Sequence, residues 1–227
     1  MNLELRLALQ EERAADLSAR VRRLLGPFTG SEIVLDAGTG TGSLAFALAP
    51  FVAEVIAIDL RDDYLEAGRR AAPANVRFAE GDVMALPFGY AEFDIACCHR
   101  VLHHVRRPEL AVSELARVTR PGARVFLADQ LGSVDPIRSL ELDRFERLRD
   151  PTHQRLLPDA DIRGYLDAND LVLLSSEDTR EEIDLEQRLE LAGLSEEERV
   201  RIRGAAPSAR YEIEIGWYVA RKPGPDR

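Results

Sequence analysis

From residue 33 to residue 129 the chain alternates short apolar runs with amphipathic stretches, and this alternation constrains the fold more than any other feature. Runs at 33–37, 54–59, 75–79, 93–98 and 123–129 have strand length, and helical periodicity fills 42–49, 62–72 and 108–118 between them. Strands separated by helices cannot pair as hairpins. Each crossover returns the next strand parallel to the last, with helices covering both faces of the sheet. The pattern predicts an α/β fold with a parallel sheet inside a three-layer αβα sandwich. Ligands of such sheets bind at the carboxyl edge, so the residues that end the strands are the first candidates for a site.

The flanking segments read differently. Leu7, Ala14, Leu17, Val21 and Leu24 recur at helical spacing over 3–25, and Gly26–Pro27 stops the helix. Helices are expected at 136–149 and 158–168, a strand at Leu171–Leu174, and an acidic helical stretch over 182–204. Within that stretch Ser195 and Glu198 have capping-box spacing. Tyr211, Ile213, Ile215, Trp217 and Val219 alternate with more polar residues, as in a half-buried antiparallel strand. Asp62 is expected to cap the helix after it, Pro121–Gly122 to form a turn, and the tail KPGPDR to fray. The reading is one domain over 1–227: an N-terminal helical cap at 1–30, a cofactor-binding core at 31–130, a cap or substrate region at 131–210 and a final strand at 211–221.

Charge narrows the partners. Thirty basic residues against forty acidic ones leave a net charge of −10, which argues against nucleic acid or an anionic membrane as ligand. No stretch has the apolar length of a membrane span, and the N-terminus lacks a signal-peptide core, so a cytoplasmic location is expected. Cys97 and Cys98 lie side by side in an apolar run and read as reduced, buried strand residues. No metal site is expected.

The chemistry concentrates at three strand ends. VLDAGTGTG (34–42) delivers Asp36 to a turn built on Gly38, Gly40 and Gly42, whose backbone N–H groups can approach a ligand closely. The spacing is GxGxG, not the GxGxxG of dinucleotide sites, which disfavours a nicotinamide oxidoreductase. A carboxylate before the turn suits a positively charged ligand, and S-adenosylmethionine carries both an ammonium and a sulfonium. Asp59 ends the second strand, 21 residues after Gly38, where a carboxylate can accept from ribose hydroxyls. Asp82 follows the third strand in GDVMALPF (81–88). Each acid alone is about as well explained as a helix cap; their succession along one sheet edge is not.

In order and spacing, VLDAGTGTG, AIDL (57–60), GDVMALPF, FDIACCHRVLHHV (93–105) and ELARVTRPGARVFLAD (114–129) resemble the class I S-adenosylmethionine-dependent methyltransferases. The resemblance is strongest to the subgroup of ubiquinone/menaquinone-biosynthesis C-methyltransferases and small-molecule methyltransferases. It covers about residues 30–130, with WYVARKP similar to the subgroup's last strand. It implies a Rossmann-like seven-stranded sheet of order 3-2-1-4-5-7-6 with strand 7 antiparallel, and a small helical cap. It implies S-adenosyl-L-methionine as cofactor, its methionine end wrapped by Gly38, Thr39, Gly40 and Gly42 and its ammonium held by Asp36. Asp59 would take the ribose, Leu60, Asp82 and Val83 the adenine, and His99 would approach the methionine portion. Residues 131–210 match only loosely.

Methyl transfer to oxygen or carbon by in-line displacement needs alignment, exclusion of water and, for some acceptors, a general base. The candidates are His103 and His104 in VLHHV, with His103 preferred, and His153 in the polar patch RDPTHQR (149–155), where Arg155 would also reach the substrate. Asp129 would orient substrate or cap the segment after the fifth strand. A Cys97 nucleophile is disfavoured, since cytosine methylation resembling this fold uses Pro-Cys where Ala96 precedes Cys97 here. The expected acceptor is a small molecule, apolar or aromatic. The alternative is a protein that binds S-adenosylmethionine or S-adenosylhomocysteine without transferring a methyl group. The acidic helical segment admits a homodimer, though amphipathic helices more often cover their own core.

Overall fold

The computed structural model describes residues 2–224. Seven strands form one sheet in the order β3-β2-β1-β4-β5-β7-β6. They are β1 (Ile33–Ala37), β2 (Glu54–Asp59), β3 (Val76–Glu80), β4 (Phe93–His99), β5 (Thr119–Gln130), β6 (Val172–Asp184) and β7 (Arg210–Arg221). The first five are mutually parallel, and β7 runs antiparallel to both β5 and β6. The expected order and the single reversed strand are both present.

Because side chains of a strand alternate between faces, the apolar runs divide between two cores. Leu35, Ala96, Cys98, Val125 and Leu127 face one cluster, which α4 (Pro108–Val118) and α6 (Asp159–Asp167) cover. Val34, Ile95, Cys97, Phe126 and Ala128 face the other, covered by α1 (Leu3–Leu25) and α2 (Ser43–Leu48). Both cysteines are buried and free. The remaining helices are α3 (Asp62–Ala71), α5 (Pro136–Arg149), α7 (Leu185–Ala192) and α8 (Glu196–Ala205). Phe145, Leu185, Leu189 and Ile202 join α5, α7 and α8 in a small separate cluster. Among the described residues no helix is long and apolar enough to cross a membrane.

Several local expectations are corrected. The stretch expected to be helical from residue 182 begins inside β6, which is 13 residues long rather than the four expected at Leu171–Leu174. It is an edge strand, so charges along it stay solvated while β7, rich in β-formers, imposes pairing from Val172 to Asp184. The helical part divides at Gly193, which is left-handed at φ 67°, and α8 restarts on the expected Ser195–Glu198 capping box. In β7 the alternation holds only to Ile215. Beyond it Tyr218 and Ala220 are also buried, because α6 covers that face. Asp62 is the first residue of α3, not its cap; Arg61 holds that position. Pro121–Gly122 lies in a bulge of β5, where two residues of β4 span five of β5 and Gly122 takes φ 83°. The tail is anchored at Lys222, whose ammonium donates to the carbonyls of Ala116 and Thr119 at the end of α4; residues 225–227 lie outside the described part.

The cap over the sheet edge should be separable in stability from the sheet. Leu189→Ala removes the fully buried anchor of the α5–α7–α8 cluster, at a cost of about 2–5 kcal/mol. Amide exchange should accelerate across 185–205 and stay slow in β1 and β4. Equal acceleration in both would show that the cluster is part of the main cooperative unit.

Candidate active site

The turn after β1 sets the site. Gly38, Gly40 and Gly42 all have positive φ (77°, 57° and 94°), a conformation that favours glycine. The N–H groups of Gly38 and Thr39 both donate to the Ile58 carbonyl at 2.8 Å, folding the turn against β2. A side chain at Gly38 would collide with Val101, and one at Gly42 with Phe46 and Phe78.

Asp36 is 1% exposed. Its Oδ2 accepts from the Thr39 hydroxyl at 2.6 Å and the Ala45 N–H at 3.1 Å, holding the turn to α2. Its Oδ1 is buried without any partner. Burial pushes this carboxyl up to about 7, the donors from Thr39 and Ala45 opposing and Asp59 adding to the rise. A native protein rarely leaves a carboxylate oxygen so placed. A cationic donor group is the partner that fits it.

Asp59 ties β2 to the turn: Oδ2 accepts from the Gly40 N–H at 2.8 Å and Oδ1 from the Arg61 N–H at 3.0 Å. Leu60 is 60% exposed beside it, an apolar platform at the edge. Asp82 accepts from the Met84 N–H at 2.8 Å. Val83 is buried in the core with α4 residues, so its side chain is not a ligand surface, contrary to expectation.

A cavity of about 630 Å³ opens between α1 and the ends of β1 and β4 and extends beneath β6 and α7. Asp36, Gly38 and Thr39 line one end; His103, His104 and Asp150 line another wall. Gly40, Gly42, Asp59, Leu60, Asp82 and Val83 lie off this cavity, following the edge towards β2 and β3. His99, at the end of β4, is in the cavity wall and stacks on Trp217 at 5.5 Å. Burial, then the neighbouring Arg100, drives its pKa down to about 3, so it stays neutral.

The histidines separate into three roles. His103 Nδ1 is hydrogen-bonded to Asp129 Oδ1, and its backbone N–H donates to Asp129 Oδ2 at 3.3 Å. Asp129 is buried, which alone would raise its pKa, but His103 and the Gln130 N–H hold it below the ordinary carboxylate value. An ionised Asp129 accepts the Nδ1 proton, and Nε2 has no protein partner among the described residues. His104 packs 4.1 Å from His103 and bonds to the Thr152 hydroxyl; burial and His103 lower it to about 4. His153 is not at the cavity. It is 2% exposed with Nε2 bonded to Asp143 at 2.9 Å, and Asp143 also accepts from the Leu156 N–H. The polar patch is therefore pulled inward at His153. Arg155 bonds to Asp161 and Tyr165 and is not in the cavity lining, where Arg149 and Asp150 stand instead.

Sequence reading missed the α1 wall. Arg6, Gln10, Arg13 and Arg20 line the cavity, and Gln10 accepts from the Thr41 hydroxyl at 2.6 Å beside the glycine turn. The signal was available: arginines at 6, 13 and 20 share one helical face. Arg100, Arg149 and Arg188 join them, so the lining mixes charged side chains with apolar ones such as Leu17, Leu191 and Trp217.

Comparisons with known proteins point one way. A family profile described as "Methyltransferase domain" matches residues 35–127. The uncharacterized methyltransferase YcgJ of Bacillus subtilis (strain 168) is 35% identical over 142 residues, covering 61% of this chain and 56% of that protein. The demethylmenaquinone methyltransferase of Clavibacter sepedonicus is 37% identical over 109 residues, 47% of this chain and 44% of that one. The chain thus spans about half the length of the curated relatives it matches. A methyltransferase-type crystal structure from Bacillus halodurans C-125 superposes with a TM-score of 0.83 at 25% identity, over 93% of this chain and 99% of that one.

The strained charge at Asp36 has a measurable cost. Its folded pKa is raised from 3.8 to about 7, so its ionisation opposes folding: stability is full below pH 4 and is lost as pH rises towards 7. Over that window the ligand-free protein should lose on the order of 4 kcal/mol from this group. Asp36→Asn should remove most of that loss, leaving a variant more stable than the parent at pH 8 by chemical denaturation. A variant less stable at pH 8 would show that the carboxylate is needed for the fold itself.

Proposed function

We propose that the chain is a class I S-adenosylmethionine-dependent methyltransferase, with S-adenosyl-L-methionine as cofactor, and that it methylates oxygen or carbon of a small-molecule acceptor. The observation that carries this reading is the pairing, on one cavity, of an orphaned carboxylate oxygen with a histidine held by a buried aspartate. The first suits the cationic end of the donor and the second a proton on the acceptor.

We assign Asp36 Oδ1 to the donor's ammonium, with Gly38 and Thr39 against the methionine end and Gly40 and Gly42 shaping the turn behind them. Asp59 would accept from the ribose hydroxyls while keeping its bonds to the turn, and Leu60, Asp82 and the backbone of Val83 would flank the adenine. When bound, the cofactor supplies a methyl group on a sulfonium, a centre open to in-line displacement. The protein's part is to align the acceptor, exclude water and remove a proton. His103 is the base: Asp129 fixes its Nδ1–H tautomer, so the Nε2 lone pair can take the acceptor proton as the new bond forms, and Asp129 then faces the imidazolium. His99, kept neutral, adds no positive charge against the sulfonium. His104 and His153 are positioning residues packed against His103.

Two outcomes test this. S-adenosylhomocysteine should bind in calorimetry, more weakly as pH drops below about 7 because Asp36 then takes up a proton and loses its charge. Asp36→Asn should cost about tenfold to a hundredfold, the worth of a charged hydrogen bond. Binding independent of pH and of Asp36 would refute the ammonium assignment. In a methyl-transfer screen of phenols, quinones and hydroxy acids, His103→Gln should reduce turnover about 10²–10⁴-fold while leaving S-adenosylhomocysteine affinity unchanged.

A further inference from the structure

On two walls of the cavity, two guanidiniums share one carboxylate. Glu181 of β6 takes Arg100 at 2.5 Å, and Arg13 of α1 reaches the same oxygen only at 3.9 Å. Glu146 of α5 lies between Arg149 at 2.6 Å and Arg188 at 3.6 Å. All four arginines line the cavity. The lining carries six acids against six arginines, but Glu181 alone among them pairs with Arg13 or Arg100. Glu182 and Asp184 turn to Arg210, Asp150 accepts from the Thr152 N–H and hydroxyl, and Asp16 is exposed at the rim. Asp36 lies at the far end, by the glycine turn.

Arg13 is the under-used member. Its side chain is 54% exposed, and the one carboxylate near it is already engaged by Arg100. Arg100 follows His99 directly, stands three residues before His103, and lines the cavity with both. A planar guanidinium with free N–H donors fits a carboxylate or phosphate through two parallel bonds.

We propose that the acceptor carries an anionic group, a carboxylate or a phosphate, which docks between Arg13 and Arg100 and supplies a second anion to two guanidiniums that share Glu181. The inference rests on the methyltransferase reading above and narrows its acceptor. It adds an anionic group to the apolar or aromatic acceptor expected from sequence. The anion also orients the molecule: fixed at Arg100, it presents the remainder to His103.

The test is calorimetric titration of the protein saturated with S-adenosylhomocysteine, using benzoate, phenyl phosphate and the neutral isostere benzamide. At low salt one of the two anions should bind at least about tenfold more tightly than benzamide, and the better of them identifies the anion. Arg13→Gln, at an exposed helical position, should erase most of that preference, and Arg13→Lys should restore part of it. Three results overturn the proposal: benzamide binding as well as the anions, no anion binding at millimolar concentration, or Arg13→Gln weakening S-adenosylhomocysteine as much as the anion. The last would assign Arg13 to the cofactor. Failure of S-adenosylhomocysteine itself to bind the parent protein would instead sink the underlying methyltransferase reading.

Discussion

The site depends on one carboxylate that the fold uses only by half. Asp36 spends Oδ2 on joining the glycine turn to α2 and leaves Oδ1 dry and unpaired. An unsatisfied buried polar atom costs about 1–3 kcal/mol, and in the ligand-free protein that cost is reduced by keeping the proton. The arrangement is stable only because the rest of β1 is buried on both faces. Val34, Leu35 and Ala37 are each fully buried. The strand supplies enough apolar burial to carry an aspartate at its end, and a positive charge placed beside Oδ1 would favour the ionised form.

The same logic places the second chemical group. β4 and β5 end beside each other, with His99 opposite Ala128, so the short helical turn after β4 meets the last residues of β5. That brings His103 to Asp129 across 26 residues of sequence. Parallel pairing therefore does what no local motif could: it sets the half-paired Asp36 carboxylate and the His103–Asp129 pair on one cavity. The cap contributes from the other side. β6 is long because β7 pairs along its whole length, and its acids reach α1, with Glu177 holding Arg20 and Arg23. The cavity roof is thus fastened to the sheet by the edge strand.

Legibility in the sequence followed the physics of each segment. The central strands were readable because double-sided burial writes continuous apolar runs such as Ile33–Leu35 and Ile95–Cys98. Helices α4 and α5 were readable to the residue, since each opens on a proline and carries a clean apolar period or cap. β6 was not, because an edge strand with one solvated side can be acidic, and acidic stretches resemble helix. Val83 and His153 show a second limit. Their positions near the edge were legible, but whether a side chain turns to the core or the cavity is fixed by tertiary partners, Asp143 in the case of His153. Asp129 could be placed at the edge, but its role depended on a partner that only folding brings within reach.

Three imidazoles within 4.1–6.5 Å of one another impose a last constraint. Like charges at that separation repel, so the cluster cannot hold several protons in a partly buried setting. His104 is pushed down to about 4, and burial lowers His153 despite Asp143. Only His103 has an ionised carboxylate against its ring on the cavity side. Asp129 and the two neighbouring imidazoles thus fix the orientation of the His103 ring. On the proposed reading, selectivity for the acceptor falls to the arginines around His103, because a general base accepts a proton from any acidic group that is brought to it.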